Sequence, residues 1–358
     1  MRTNGDGDSP MRTDGDAILL LKGQEVIELL DGREPEVMSR VRLAYEAHAR
    51  GQTGLPHSTF LRFPADDKNR IIALPAYLGD SFDVAGIKWV SSFPDNIGLR
   101  LNRASAVLIL NSTRTGRPEA VIEGSVISAQ RTAASAALAA EHLHADRNGT
   151  LFGLVGTGVI NFEIVRFLRT ALPQLKTCVV FDTAGERALQ FARHCRAEFP
   201  DLAVEVAGSL DEVLSRCALV SLATTAATPH IDDLSVCPPG STLLHISLRD
   251  LTPGVILKCA NILDDIEHVC RAQTSVHLAE QLVGHRDFMR CTLGDILLGK
   301  AVARDDPADI AVFSPFGLGI LDLAVADLVC ELAESQGRGT LIESFLPKAW
   351  GDGFNLGA

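Results

Sequence analysis

The sequence predicts an α/β protein in two parts, one domain built on a parallel sheet and one on a mixed sheet with helices (α+β). Three observations carry this. From about Thr150 to Ser314, short Val/Ile/Leu-rich runs alternate with helical segments, the pattern of successive βαβ units. The first of those units turns on a glycine loop, Gly153-Leu-Val-Gly156-Thr-Gly158. Before about Glu123, strand-like runs follow one another with Gly, Pro and Asn between them, which favours antiparallel or mixed pairing.

In chain order, residues 1–16 hold a near-duplication, MRTNGDGDSP then MRTDGDA, and read as a polar, disordered leader whose second Met is an alternative start. Glu34 to Arg50 has helical spacing. Asn69–Leu78, Val84–Ser92, Ala104–Asn111 and Glu119–Ile122 read as strands, with Thr113–Gly116 as a turn. A long helix is expected from Gly124 to Leu143, because SAALAAEHL is rich in strong helix formers. The alternating region then runs through strands TLFGLVG, KTCVVFD, Ala203–Val206, Ala218–Leu222, Ser241–Ser247, Ala260–Asp264 and Ala308–Ser314, with helices Val159–Leu172, Gly185–Glu198 and Leu318–Gln336. The expected partition is residues 126–314 for the parallel-sheet domain, and 17–125 with 315–358 for the other.

Composition narrows the function classes. Forty-five acids against 33 bases give a net charge of −12, which disfavours nucleic acid and anionic membrane surfaces as partners. No apolar run reaches the roughly 18 residues of a membrane helix. The eight cysteines are scattered without a C-x-x-C pair, which points to reduced thiols in the cytoplasm and away from structural zinc. His142 and His144 have no nearby residues to complete a metal site, and none is expected.

The glycine loop closes a strand and opens a helix, the context of the Rossmann-type dinucleotide fingerprint, with Gly156, Thr157, Gly158, Val159 and Ile160 at the pyrophosphate. The third glycine of the pattern is replaced by Asn161. Asp182 ends the next strand, where a carboxylate binds the ribose hydroxyls of NAD and repels the 2′-phosphate of NADP.

A basic group stands out in this acidic chain: Arg62, Arg70, Lys88, Arg100, Arg103 and Arg131. Lys88 lies within the apolar strand AGIKWV, and Arg131 within a largely apolar helix. Buried cations need partners, so each serves either a substrate carboxylate or an internal salt bridge. Asp250 follows the fifth parallel strand, at the edge where open α/β sheets bind ligands. Asp264 and Asp265 follow the next strand and serve as acids without an assigned role.

Together these pieces resemble the ornithine cyclodeaminase/μ-crystallin family over nearly the whole chain from Ala17. The resemblance rests on AGIKWVSSFPDN, on RTAA from Arg131 to Ala134, on the GTG loop, on HISLRD and on SPFGLGILDLAVAD. It implies a substrate-binding and dimerisation domain joined to the Rossmann-type domain, and a homodimer. It further implies that Lys88 and Arg131 bind the substrate carboxylate, that Thr132 lies near the cofactor, and that Asp250 is the catalytic acid/base. Within the family the chain is most similar to the branch that makes 2,3-diaminopropionate for siderophores or peptide antibiotics. NRIIALPAYLG, GIKWVSS, NRAS and the SLRD form of the aspartate motif carry that likeness. The branch reaction is NAD-dependent oxidation of N-(2-amino-2-carboxyethyl)-L-glutamate, followed by hydrolysis to 2-oxoglutarate and L-2,3-diaminopropionate. Three substrate carboxylates would suit Arg62, Arg70 and Arg103 as further ligands. The alternatives are a cyclodeaminase, alanine dehydrogenase or ketimine reductase on this scaffold, or a non-catalytic NAD-binding protein.

Overall fold

The computed structural model describes residues 16–146 and 148–347. The expected leader therefore lies outside the described residues, apart from Asp16. In chain order the elements begin β1 (Ile18–Leu21), α1 (Gly23–Leu30), α2 (Glu34–Ala49), β2 (Thr53–Gly54), β3 (Thr59–Phe63), β4 (Asp66–Leu78) and β5 (Val84–Ser92). A 3-10 turn (Pro94–Leu99), β6 (Ala104–Asn111), β7 (Pro118–Glu123) and α3 (Ser125–Leu143) follow. Next come β8 (Leu151–Val155), α4 (Val159–Ala171), β9 (Thr177–Phe181), α5 (Gly185–Glu198), β10 (Ala203–Val206), α6 (Leu210–Arg216), β11 (Leu219–Leu222) and β12 (Thr242–His245). The remainder is α7 (Pro253–Ile256), β13 (Ala260–Leu263), α8 (Ile266–Val269), α9 (Ser275–Val283), β14 (Met289–Thr292), α10 (Leu293–Leu297), β15 (Ala311–Ser314), α11 (Gly319–Gln336) and β16 (Thr340–Ile342).

The chain divides into two compact units, and the architecture is the expected α/β one. Among the described residues, unit 1 takes Asp16–Asp31, Gly54–Ile127 and Asp322–Pro347; unit 2 takes Gly32–Thr53 and the described part of Ser128–Leu321. This differs from the expected partition at α2, which joins unit 2. The reason is packing: α2 lies against α4 and α10, and a Cβ on Gly294 of α10 would come within 2.8 Å of the Tyr45 carbonyl.

Unit 1 carries a mixed sheet in the order β16-β1-β7-β6-β5-β4-β2, with β3 also pairing with β4. β3 to β7 pair antiparallel, and β1 joins β7 in parallel. Register puts Leu74, Lys88 and Leu108 side by side, and all three are buried. α11 covers that face, its Leu323 side chain lying 3.1 Å from where a Cβ on Gly86 would sit; glycine is needed at that position because the same Cβ would overlap the Ile109 carbonyl of β6. On the opposite face Leu61, Tyr77 and Trp89 are exposed.

Unit 2 holds a wholly parallel sheet in the order β10-β9-β8-β11-β12-β15-β13-β14. β11, β12 and β15 are buried at every residue, as strands covered on both faces must be. The chain runs outward from β8 through β9 to β10, then crosses back to β11. β8 and β11 are therefore neighbours at the topological switch point, where a crevice opens at their carboxyl ends.

Candidate active site

At the switch point, Gly156 follows β8 with φ +89°, and a Cβ there would lie 2.5 Å from the Ala223 carbonyl after β11. Only glycine fits. Gly158, the N-cap of α4, has nothing within 4 Å of a Cβ position, which leaves room for an anion at the helix N-terminus. Asp182, just after β9, accepts hydrogen bonds from the Thr157 N–H (3.0 Å) and hydroxyl (2.6 Å) and from Ala184 N–H (2.9 Å). Val159 is exposed and Ile160 half-buried at the same loop. Strand-end carboxylate, glycine turn and open helix N-terminus fit a dinucleotide.

Asn161 explains the missing third glycine. Fully buried, it donates to the carbonyls of Val155 (3.0 Å) and Gly156 (2.6 Å) and accepts from the Ser221 hydroxyl of β11 (2.8 Å). A polar clamp thus joins the two switch-point strands where the usual pattern packs a bare backbone.

Asp250 lies in the loop after β12, again in unit 2, and has no exposed surface. Its carboxylate accepts from the hydroxyls of Thr224 and Ser247 and lies 3.4 Å from His245 Nε2. Its backbone N–H donates to the same His245 nitrogen (3.1 Å), and the other ring nitrogen meets the Ser314 hydroxyl at 3.1 Å. Burial pushes the carboxyl up; the His245 imidazole and the two hydroxyls more than offset this and hold it below the ordinary carboxylate value. The loop is strained as well, because Leu248 has φ +66°, a region that suits glycine.

In unit 1, Arg62 on β3 stands opposite Arg70 on β4, and Arg70 stands opposite Ser92 on β5. Side chains alternate along β5, so Lys88 shares the face of Ser92 and hence of both arginines. Arg103 adjoins the same end of the β5–β6 pair, where its carbonyl accepts from Phe93 N–H (2.8 Å). Burial lowers its guanidinium pKa, and its buried Nε has no hydrogen-bond partner among the described residues. Lys88 realises the alternative the sequence left open: its ammonium pairs with Asp322 of α11 at 2.7 Å, both groups buried. Arg100 ends the 3-10 turn in the left-handed region and is exposed.

In unit 2, Arg131 is buried on α3 beneath the backbone of Gly317: a Cβ there would lie 2.9 Å from a guanidinium nitrogen. Thr132 donates back to the Ser128 carbonyl (2.7 Å). The two acids left without a role, Asp264 and Asp265, are structural. Asp264, fully buried, accepts from the N–H groups of Phe316 (2.9 Å), Gly317 (2.7 Å) and Asp265 (2.8 Å) and so fixes the loop over Arg131. Asp265 caps α8 and binds His48 (3.0 Å) and His268 (2.8 Å).

Sequence reasoning missed Asp322, Thr224, Ser247 and His245. The last two lie inside the quoted HISLRD motif, yet only the turn after β12 shows that they face Asp250. Among the described residues no His/Cys/Asp/Glu group could hold a metal, none of the eight cysteines is in a disulfide, and no helix is long and apolar enough to cross a membrane.

Residues 20–337 match the family model described as ornithine cyclodeaminase/mu-crystallin family. The chain is 28% identical to an alanine dehydrogenase of Archaeoglobus fulgidus, over 91% of this chain and 98% of that one. It is 27% identical to the N-((2S)-2-amino-2-carboxyethyl)-L-glutamate dehydrogenase of Staphylococcus aureus, over 91% and 99%. Among solved structures, an archaeal alanine dehydrogenase dimer with bound NAD superposes with a TM-score of 0.81 at 27% identity, over 91% of this chain and 99% of that one.

Proposed function

This chain belongs to the ornithine cyclodeaminase/mu-crystallin family, and we propose that it oxidises N-(2-amino-2-carboxyethyl)-L-glutamate with NAD, yielding 2-oxoglutarate and L-2,3-diaminopropionate. It is an NAD-dependent oxidoreductase acting on a C–N bond, as its relatives are.

The observation that carries the substrate is the arginine group of unit 1. Like charges directly opposite in a sheet are destabilising, so the facing Arg62 and Arg70, with Arg103 beside them, favour an anion with more than one carboxylate. Alanine and ornithine offer one carboxylate each; the glutamyl conjugate offers three.

Bound NAD supplies the hydride acceptor. The chain's own residues hold the substrate and move protons. Lys88, charged and fixed by Asp322, and Arg131, seated under Gly317, take the carboxylate beside the reacting carbon, while Arg62, Arg70 and Arg103 take the others. Thr132 lines the cofactor side of α3. Asp250 accepts a proton from the secondary ammonium before hydride departs and gives it up to solvent, then draws one from the water that attacks the imine and returns it to the amine that leaves. A carboxylate held at low pKa is always ionised at neutral pH and surrenders its proton readily, which suits both steps.

The protein works as a homodimer in the cytoplasm. Leu61, Tyr77 and Trp89 on the outer face of the unit 1 sheet form the apolar surface that a second copy covers. Residues 17–125 apart from the α2 segment, with 315–358, constitute the substrate and dimerisation domain, and 126–314 with the α2 segment the NAD domain.

The test is NADH release with the glutamyl conjugate, alanine and ornithine in parallel. The proposal expects turnover with the conjugate at a kcat/KM far above that with alanine. Preference for alanine would make the protein an alanine dehydrogenase, and proline formation from ornithine would make it a cyclodeaminase.

A further inference from the structure

Asp250 poses a physical problem for the role just given to it. Its carboxylate has no exposed surface, so no proton can reach it directly from a substrate or from bulk water. Two hydroxyls bind it and are themselves half-buried, those of Thr224 and Ser247. Ser247 also lies 2.9 Å from the Leu222 carbonyl, an acceptor that competes for its single proton.

Thr224 is placed differently. It is the second residue after β11, at the carboxyl end of a switch-point strand. The Gly156 turn packs on it: a Cβ on Gly156 would lie 3.3 Å from Thr224 Cα. Its hydroxyl oxygen accepts the Ala226 N–H at 3.1 Å while its proton goes to Asp250. That backbone bond fixes the oxygen and leaves a second lone pair.

We propose that Thr224 is the group that exchanges protons with the substrate, as a hydroxyl relay between the crevice and the buried Asp250 carboxylate. In the forward step the secondary ammonium N–H bond breaks and its proton bonds to Thr224 Oγ1. The Oγ1–H bond to the original hydroxyl proton breaks as that proton passes to Asp250. The amine keeps its electron pair, and no charge is left on the threonine. Asp250 then releases that proton to solvent by the same route. In the second step the ionised carboxylate takes a proton, again through Thr224, from the water that attacks the imine, and returns it to the amine nitrogen as the C–N bond of the adduct breaks. The hydroxyl is thus both acceptor and donor within one transfer, which a carboxylate buried behind it requires and a methyl group cannot supply.

This inference rests on Asp250 being the acid/base, so both are tested together. Thr224→Val keeps the shape and removes the hydroxyl, Thr224→Ser restores it, and Asp250→Asn removes the base. Each is measured for NADH affinity by fluorescence, for single-turnover NADH formation with the glutamyl conjugate, and for the dependence of that rate on D2O fraction. The expected result is NADH affinity within about threefold of wild type in all three. Single-turnover rates should fall by about 10²-fold or more in Thr224→Val and Asp250→Asn, the range of general acid/base groups. Thr224→Ser should recover most of the rate. The wild-type rate should curve with D2O fraction, as two protons in flight require, and the residual rate of Thr224→Val should not. A Thr224→Val enzyme as fast as wild type, beside an inactive Asp250→Asn, overturns the relay and leaves the base in place. Full activity in Asp250→Asn, or no turnover of the conjugate by wild type, overturns the base and the relay with it.

Discussion

Restoring the glycine that the dinucleotide pattern expects should damage this protein. Asn161→Gly removes three hydrogen bonds at once: those to the Val155 and Gly156 carbonyls and the one from Ser221. The Val155 carbonyl keeps the Ala223 N–H at 3.0 Å, so that loss costs little. The Gly156 carbonyl and the buried Ser221 hydroxyl lose these partners, at about 1–3 kcal/mol for each group left unsatisfied. Glycine in the first turns of α4 adds up to about 1 kcal/mol relative to alanine. The sum is about 2–7 kcal/mol, a large share of a domain's stability. Urea unfolding followed by circular dichroism reads it directly. A cycle with Ser221→Ala isolates the cross-strand bond, whose coupling should be about 1 kcal/mol. NADH binding should weaken as well, because the Gly156 turn loses its anchor. A variant within 0.5 kcal/mol of wild type, the usual range of an inconsequential substitution, would refute the clamp and make Asn161 a passive filler.

Three further outcomes follow from the geometry. Asp182→Ala should narrow the preference for NAD over NADP, read as the ratio of kcat/KM for the two cofactors, while freeing the Thr157 amide and hydroxyl. The Asp250 carboxyl is held below its ordinary value, so its ionisation stabilises the fold at any pH above the unfolded value of about 3.9 and ceases to do so as pH falls through the lower folded value. Acid unfolding of Asp250→Asn should accordingly lose part of its steepness below about pH 4, and between pH 5 and 8 wild-type turnover should show no limb from this group. Arg103→Ala should raise KM for the glutamyl conjugate with NADH affinity unchanged, by about 2–5 kcal/mol in binding if the guanidinium meets a desolvated carboxylate; an unchanged KM would remove Arg103 from the site.

Much of the fold was legible in the sequence because periodicity and packing agree there. Val84–Ser92 and Ala104–Asn111 form strands with the expected bounds, and the helices after Val159 and Gly185 start as expected. The partition was less legible, since nothing in Glu34–Arg50 announces which sheet its apolar stripe will meet. The residues around Asp250 were hidden for another reason. Thr224 and Asp250 are 26 positions apart and meet because β11 and β12 are parallel neighbours. Asp322, which holds Lys88, arrives from a helix more than two hundred residues downstream. The sequence shows that a buried cation needs a partner; only the packing of α11 on β5 shows that the protein supplies one itself. Asp264 and Asp265 teach the converse. They looked interchangeable with Asp250 as acids after a strand, yet their oxygens are taken by backbone N–H groups and by histidines.

The central claim, oxidation of a secondary amine carrying three carboxylates, is tested most directly by product analysis. The enzyme is incubated with NAD and N-(2-amino-2-carboxyethyl)-L-glutamate, and the mixture is resolved by mass spectrometry alongside NADH absorbance. The account predicts 2-oxoglutarate, L-2,3-diaminopropionate and NADH in equal amounts; unchanged conjugate in a mixture where alanine or ornithine is consumed would contradict it.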